Sequence, residues 1–459
     1  MPYDLMEFLE KLEKADELIH IRDPLSPRFE IAAVIKYLTR KKNCALFFDD
    51  VEGYNIPVVG NVLGTKKRLA LALGIEEIDL AGTYLRCREN PAKPVLVSDG
   101  PVKQVEILHG VDIAKIIPVL THHEKDAGPY FTCAITMARD PETGLRGMGI
   151  HRIQVKDSNT LGIFLASPPL SHFLARSESR GKPLEIAVVL GVDPVTFFSS
   201  VVWAPSGVDK LDIAGGLAGR PIETVACSTI DVEVPAQAEF VLEGEIIPGE
   251  RHPEGPFGES TGYYFTYKSP VAKVKAITHR RNPVYQALVP FSNEETVLLD
   301  LSWEMEHLKE MQRSYPFVKK IHFSNLGLTA IAQIKKSSDE DSRKVIEHLW
   351  SNPFAKMVIV VDEDIDPYDH QEVNWAIATR VQPAKDITMK GGLDGLVIDP
   401  STGPLRVSDD PLFRLITTTS KVGIDATKPL DGRARYEKID VPEGIRAKIW
   451  PVVDRYVKT

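Results

Sequence analysis

The segment HPEGPFGESTGYY (252–264) sets two carboxylates, Glu254 and Glu259, among Pro253, Gly255, Pro256, Gly258 and Gly262. Proline fixes φ and glycine reaches turns closed to other residues, so neither a helix nor a regular strand is expected to run through it. The composition predicts a rigid, tightly turned loop holding two acids. Such a loop suits proton transfer, because a general acid must sit within hydrogen-bond reach of its target. If the pair is enclosed, desolvation and like-charge repulsion raise at least one of the two pKa values. The competing reading is a surface turn with solvated glutamates, and spacing alone leaves both open.

A second candidate is GLRGMGIHRIQVKD (144–157). Gly147 and Gly149 permit close backbone approach, for instance to a phosphate. Arg152 opens an alternating apolar strand, and an arginine facing a site holds a carboxylate through two parallel hydrogen bonds. An ion-paired barrel residue is the alternative. The Gly-Met-Gly run is no dinucleotide fingerprint, since a third glycine and a following helix are missing. His122-His123-Glu124 looks like a ligand cluster, but neighbours on a strand point to opposite faces, which favours hydrogen-bonding roles in a loop. His172, within PPLSHFLARSE, sits near a helix start and on its own reads as structural.

These residues need elements to hold them. The opening helix has Asp4 as cap, Glu7 three residues on, and Leu5, Phe8, Leu9 and Leu12 on one face. ALFFDDVEGYN and IPVVGNVLG follow as strands of a small α/β unit ending near residue 110. From about 115 to 300 short strands dominate: EIAVVLGV (185–192), FVLEGEII (240–247), VAKVKAIT (271–278) and VYQALVP (284–290), which suits a β-barrel or sandwich with long loops. LSHFLARSESRGKP interrupts them as a helix ended by Gly181. Beyond 300 the chain turns helical (LSWEMEHLKEMQRSY). A helix over SSDEDSRKVIEHLWS then carries Ser337 or Ser338 as cap and turns Val345, Ile346 and Leu349 inward. The strand MVIVVDEDID (357–366) follows. This alternation favours a layered α/β domain.

The 459 residues are enough for two to three domains, and 43% hydrophobic with 26% charged residues is ordinary for a globular chain. A net charge of -9 without a basic stripe argues against nucleic acid. Cys44, Cys87, Cys133 and Cys227 form no CxxC pair, and so few cysteines in a chain this long suit a reducing cytoplasm. No apolar run reaches the length of a membrane span, and the N-terminus lacks a signal-peptide pattern.

Taken together, the chain resembles the UbiD family of decarboxylases. The likeness runs through FFDDVEGYNIPVVGNVLGTKKRLALALG, RDPETGLRGMGIHRIQV, VPAQAEFVLEGEIIPGERHPEGPFGESTGYY, ITHRRNPVY and VVDEDIDPYDHQEVNWAIATRVQPAKD. The resemblance implies an N-terminal α/β domain (1–112), a split β-barrel like that of flavin reductases (113–300), a linking helix (301–318) and a C-terminal α/β dimerisation domain (319–459). It implies prenylated FMN, made by a separate flavin prenyltransferase, whose ylide-like centre bonds to an aromatic, heteroaromatic or α,β-unsaturated acid as carbon dioxide leaves. Arg152 matches the family arginine that contacts cofactor and substrate carboxylate. Glu259 matches the acid that protonates the vacated carbon, and Glu254 its partner. The segment Gly147, Met148, Gly149, Ile150, His151 and Arg152, with His172 and Lys210, lies where the family binds the cofactor.

One part of the pattern departs. Family members hold the flavin phosphate through a divalent metal, usually manganese, with potassium nearby, and His172 matches the ligand histidine. The asparagine position is Gly147 here, and the glutamate position, aligned through DIAGGLAG, is Lys210. The expectation is that the Lys210 ammonium meets the phosphate in place of the metal, as a point-charge lysine does elsewhere. A register in which Asp209 or Asp212 is the ligand remains the alternative. The rival functions are a flavin reductase-like oxidoreductase on the same barrel, which has no need of two acids and an arginine, and a non-catalytic subunit of a carboxylase complex. For the substrate pocket, 288–306 offers Phe291, Ser292, Asn293 and Trp303, a mix suited to a flat acid. A homodimer is the family expectation.

Overall fold

The computed structural model describes residues 3–204, 207–407 and 415–457. Helix α1 (Leu5–Lys14) is capped as its sequence predicts: the Asp4 carboxylate accepts from the Glu7 amide at 2.9 Å. Glu7 reaches back to the amide of Tyr3 at 2.7 Å, so the reciprocal bond falls one residue earlier than in a capping box. Strands β1 (Leu18–Ile21), β2 (Ala45–Phe48) and β3 (Val58–Gly60) form a small sheet, followed by α2 (Lys66–Leu73). Its fourth strand is Tyr285–Ala287, parallel to β3. The run VYQALVP is therefore a strand, but it leaves the barrel region and returns to the first sheet. All three of its strand residues are buried, as a strand covered on both faces requires.

The central sheet has nine strands, all pairs antiparallel. In chain order they are β4 (Val105–Ile107), β5 (Tyr130–Phe131), β6 (Ile135–Arg139), β7 (Arg146–Ile150), β8 (Ile153–Val155), β9 (Thr160–Ile163), β10 (Leu184–Leu190), β11 (Phe240–Gly258) and β12 (Tyr264–His279). Helix α3 (Leu170–Ser179) follows β9, while α4 (Pro194–Val201) and α5 (Lys210–Ala218) follow β10. The spatial order is β5-β8-β9-β12-β11-β10-β6-β7, with β4 on the end of β12. The sheet is curled into a half-barrel and buries both faces. Along β10, Ile186, Val188 and Leu190 join a core with Leu46 and Phe48, whereas Ala187 and Val189 join a second core with Leu5 and Phe8. That is the two-residue period of a strand written into two cores.

β11 corrects the expected loop. The strand continues through His252–Gly258 and pairs with β12, with register breaks at Ile246/Arg251 and Glu254/Phe257. Pro248, Gly249, Gly255 and Pro256 fall in these breaks, where the chain leaves the ladder, while Pro253 and Gly258 stay in it opposite Lys268 and Tyr264. Helix α6 (Asn293–Ser314) starts earlier than its apolar pattern suggested, with Glu294 and Glu295 in the first turn, where acids favour the helix dipole.

Beyond it a mixed sheet runs β14-β15-β16-β18-β17. Its strands are β14 (Val318–Ser324), β15 (Thr329–Ile334), β16 (Met357–Asp362), β17 (Ile387–Gly395) and β18 (Leu415–Asp425); Tyr285–Ala287 counts as β13. Helix α7 (Asp341–Leu349) buries Val345, Ile346 and Leu349 as expected. Its N-cap is Glu340 and not a serine; Asp341, the first helical residue, ties down the preceding turn by accepting from the amides of Ser337 and Ser338 at 2.9 and 2.8 Å. Helix α8 (Glu443–Val457) ends the described chain. No helix among the described residues is long and apolar enough to cross a membrane.

Candidate active site

Arg152 lies in the short link between β7 and β8, with its carbonyl held by the Phe164 amide at 3.2 Å. Its guanidinium bridges the two acids. Nη2 donates to Glu254 Oε2 at 2.6 Å, and Nη1 donates to Glu259 Oε1. All three residues are buried, at 9%, 0% and 7% exposure, so the bonds form where water competes little. The rings of Phe164, Phe257 and Phe265 surround the guanidinium with centroids 4.6, 5.2 and 5.2 Å away. These rings shield the cation from water and attract its charge to their faces.

The bulged hairpin places the acids. Glu254 stands opposite Tyr267, and the register then slips so that Phe257 stands opposite Phe265. Gly255 takes φ +98, and a Cβ there would lie 2.6 Å from the Phe265 carbonyl oxygen. Ser269 adds a 3.2 Å hydrogen bond to Glu254 Oε2. Glu259 starts the hairpin turn, which is closed by the Gly262 amide donating to its carbonyl at 2.8 Å. The Ser260 amide donates to Glu259 Oε2 at 3.3 Å, and the Ser260 hydroxyl donates to Glu295 Oε1. Glu295 also accepts from the Phe291 amide at 2.8 Å, and burial raises its pKa. At the tip, Thr261 donates to the Ile398 carbonyl at 2.9 Å, which ties the hairpin to the C-terminal layer. Sequence reasoning missed Ser260 and Glu295; the short step from the second acid to a serine was the available signal.

The histidines divide. His122 and His123 give their backbone amides to Asp126 Oδ2 at 3.2 and 2.8 Å, while Gly258 gives its amide to Oδ1 at 2.9 Å. Burial alone would raise Asp126, but these bonds and the His123 ring hold it below the usual carboxylate range. The loop role expected for this pair is the one observed. His172 lies on the first turn of α3, beside Pro169 and Phe173.

A Cβ on Gly147 would meet Phe173 Cε2 at 2.6 Å and Pro169 Cγ at 2.8 Å, so the side-chain direction at 147 is filled by α3 and not by a ligand. Asp209 caps α5 through the Leu211 amide at 2.9 Å and pairs with Arg146 at 3.3 Å, which occupies it elsewhere. Among the described residues no group of three or more His, Cys, Asp or Glu side chains is arranged to hold a metal ion. The residues present do not fit a divalent metal.

They do fit a polar organic cofactor. Arg152 Nε and both ring nitrogens of His151 are buried without a hydrogen bond of ordinary geometry, and the Tyr130 hydroxyl has only the Glu254 carboxylate near it. Buried polar atoms left unpaired in this number call for a bound partner. Trp303, by contrast, packs on Phe323 and Phe354 in the C-terminal layer and is part of that core. Phe291 stays near the trio, against Gly262 and half exposed.

Comparison with known proteins gives the family. The family profiles of 3-octaprenyl-4-hydroxybenzoate carboxy-lyase match in chain order: the N-terminal domain over residues 9–86, the Rift-related domain over 93–293 and the C-terminal domain over 296–426. The chain belongs to the UbiD family and is a carboxy-lyase of that class. It is 31% identical to anhydromevalonate phosphate decarboxylase of Methanothermobacter thermautotrophicus, over 96% of this chain and 100% of the relative. The UbiD-class enzyme HmfF from Pelotomaculum thermopropionicum, solved with FMN, shares 39% identity and a TM-score of 0.88 over 96% of this chain and 98% of that one. An evolved dimeric form of HmfF, solved with prFMN, shares 37% identity and a TM-score of 0.85 over 97% and 98%. Vanillic acid decarboxylase of Sedimentibacter hydroxybenzoicus shares 30% identity and a TM-score of 0.85 over the full length of both chains.

Proposed function

We propose that this carboxy-lyase decarboxylates an aromatic, heteroaromatic or α,β-unsaturated acid with prenylated FMN, and runs in reverse under high carbon dioxide. The observation that carries the reading is the Arg152 bridge between Glu254 and Glu259. When bound, the flavin supplies the electron sink for the carbon that loses carbon dioxide. Arg152 holds the substrate carboxylate against the cofactor. Glu259 delivers a proton to the vacated carbon, and Glu254, locked on Arg152 and Ser269, keeps the guanidinium in place. Segment 147–152 and His172 line the cofactor. No step uses manganese or potassium.

The named relatives act on acids as unlike as vanillic acid and anhydromevalonate phosphate. A test panel therefore carries both aromatic and unsaturated acids, some phosphorylated. In this reading residues 1–112 and 113–300 wall the site, 301–318 link, and 319–459 dimerise in the cytoplasm. Exposed Ile445, Ile449, Trp450 and Val453 on α8 support dimerisation. A flavin prenyltransferase supplies the cofactor. The test is mass spectrometry of protein co-produced with such an enzyme without oxygen, followed by the acid panel. Prenylated FMN near one per chain with carbon dioxide release supports the proposal. Plain FMN with reductase activity, or no turnover in both wild type and Glu259→Gln, overturns it.

A further inference from the structure

Lys210 is a cation without an anion. It opens α5, its ammonium donates to the Ser200 carbonyl at 2.8 Å, and it has no carboxylate partner among the described residues. The residue is only partly buried, yet protein surrounds the ammonium closely enough to push its pKa down to about 8. Its charge acts on His151, which is 6% exposed and held by burial at about 4. Neither imidazole nitrogen makes a hydrogen bond of ordinary geometry, although the Gly149 backbone lies close enough to pull weakly on a ring proton. A desolvated ammonium whose charge reaches a desolvated, unpaired imidazole is costly unless something anionic with free oxygens serves both. A phosphate monoester has the charge and the acceptors to do so.

A metal ion cannot take that role here. A divalent cation would be repelled by Lys210, Asp209 is spent on its helix and Arg146, and position 147 is closed by Phe173 and Pro169.

We propose that Lys210 and His151 form a metal-independent anchor for a phosphate monoester, which in the working enzyme is the phosphate of the flavin. This rests on the flavin reading above. The closing experiment separates the two. Full-length protein, treated with EDTA and checked for metal content, is titrated with FMN and with riboflavin. Expected are substoichiometric metal, FMN binding unaffected by EDTA, and riboflavin binding weaker by about tenfold or more, as loss of a charge-assisted contact gives. Lys210→Ala lowers FMN affinity towards that of riboflavin and leaves riboflavin binding unchanged, while its melting temperature does not fall. One manganese per chain with binding abolished by EDTA overturns the anchor, as does Lys210→Ala binding FMN like wild type. If neither flavin binds, the flavin reading fails. The anchor then stands only if inorganic phosphate raises the melting temperature of wild type and not of Lys210→Ala, and it falls otherwise.

Discussion

In the proposed reaction each turnover consumes a proton, which Glu259 is proposed to give; its Oε2 accepts from the Ser260 amide at 3.3 Å. Glu259→Gln keeps the size and one acceptor but has no acidic proton. Decarboxylation is expected to fall by about 10²- to 10⁴-fold, with the flavin absorbance of the loaded protein unchanged. Glu295 acts one step back, by holding the Ser260 hydroxyl and the Phe291 amide. Glu295→Ala leaves both donors unpaired, so kcat should drop about tenfold with little change in KM, whereas Glu295→Gln, which still accepts, should restore most of it. Steady-state kinetics of the two variants decides whether Glu295 works as an acceptor or through its charge. Arg152, Glu254 and Glu259 were singled out in the sequence through the family resemblance, since spacing alone left a solvated turn and an ion-paired barrel residue open for them. Glu295 was not. An acid in the first turn of a helix looks like any dipole-favouring acid, and only packing shows that this one points inward.

At the scale of elements, the β11–β12 hairpin does the positioning, and there the sequence misled. Its prolines and glycines argued for a loop, yet pairing resumes on either side of each bulge. Period-two reasoning has no way to see a partner strand that tolerates a slip. The bulge at Gly255 is testable. Gly255→Ala puts a methyl 2.6 Å from the Phe265 oxygen at φ +98, so it should lower both the melting temperature and kcat. Gly249→Ala, at φ +71 with nothing within 4 Å, carries backbone strain alone and should cost less in stability and little in rate. Thermal melts and turnover of the two, side by side, check this. The early strands and the α1 cap were readable because local hydrogen bonds and face periodicity decide them. The return of Tyr285–Ala287 to the first sheet was not, since parallel pairing across more than two hundred residues leaves no local trace.

For the whole molecule, the junction of the first sheet with α6 sets a pH dependence. Glu294 is buried there, accepts from the Leu63 amide at 2.8 Å, and burial raises it from 4.5 to about 7. The folded chain therefore keeps a proton that the unfolded chain loses. This contribution is whole below the unfolded pKa of 4.5 and is lost as pH climbs through about 7. Glu294→Gln cannot titrate. Relative to that variant, the wild-type melting temperature should fall by a few degrees between about pH 5 and about pH 8, which calorimetry at several pH values would show. The bond from Thr261 to Ile398 has a different reach. It hangs the acid's turn on a stretch that lends no side chain to the Arg152 trio. Lesions around residue 398 would then be inherited as faults of protonation and not of folding. A genetic hunt for slow enzyme would return hits from a part of the gene that encodes no chemistry.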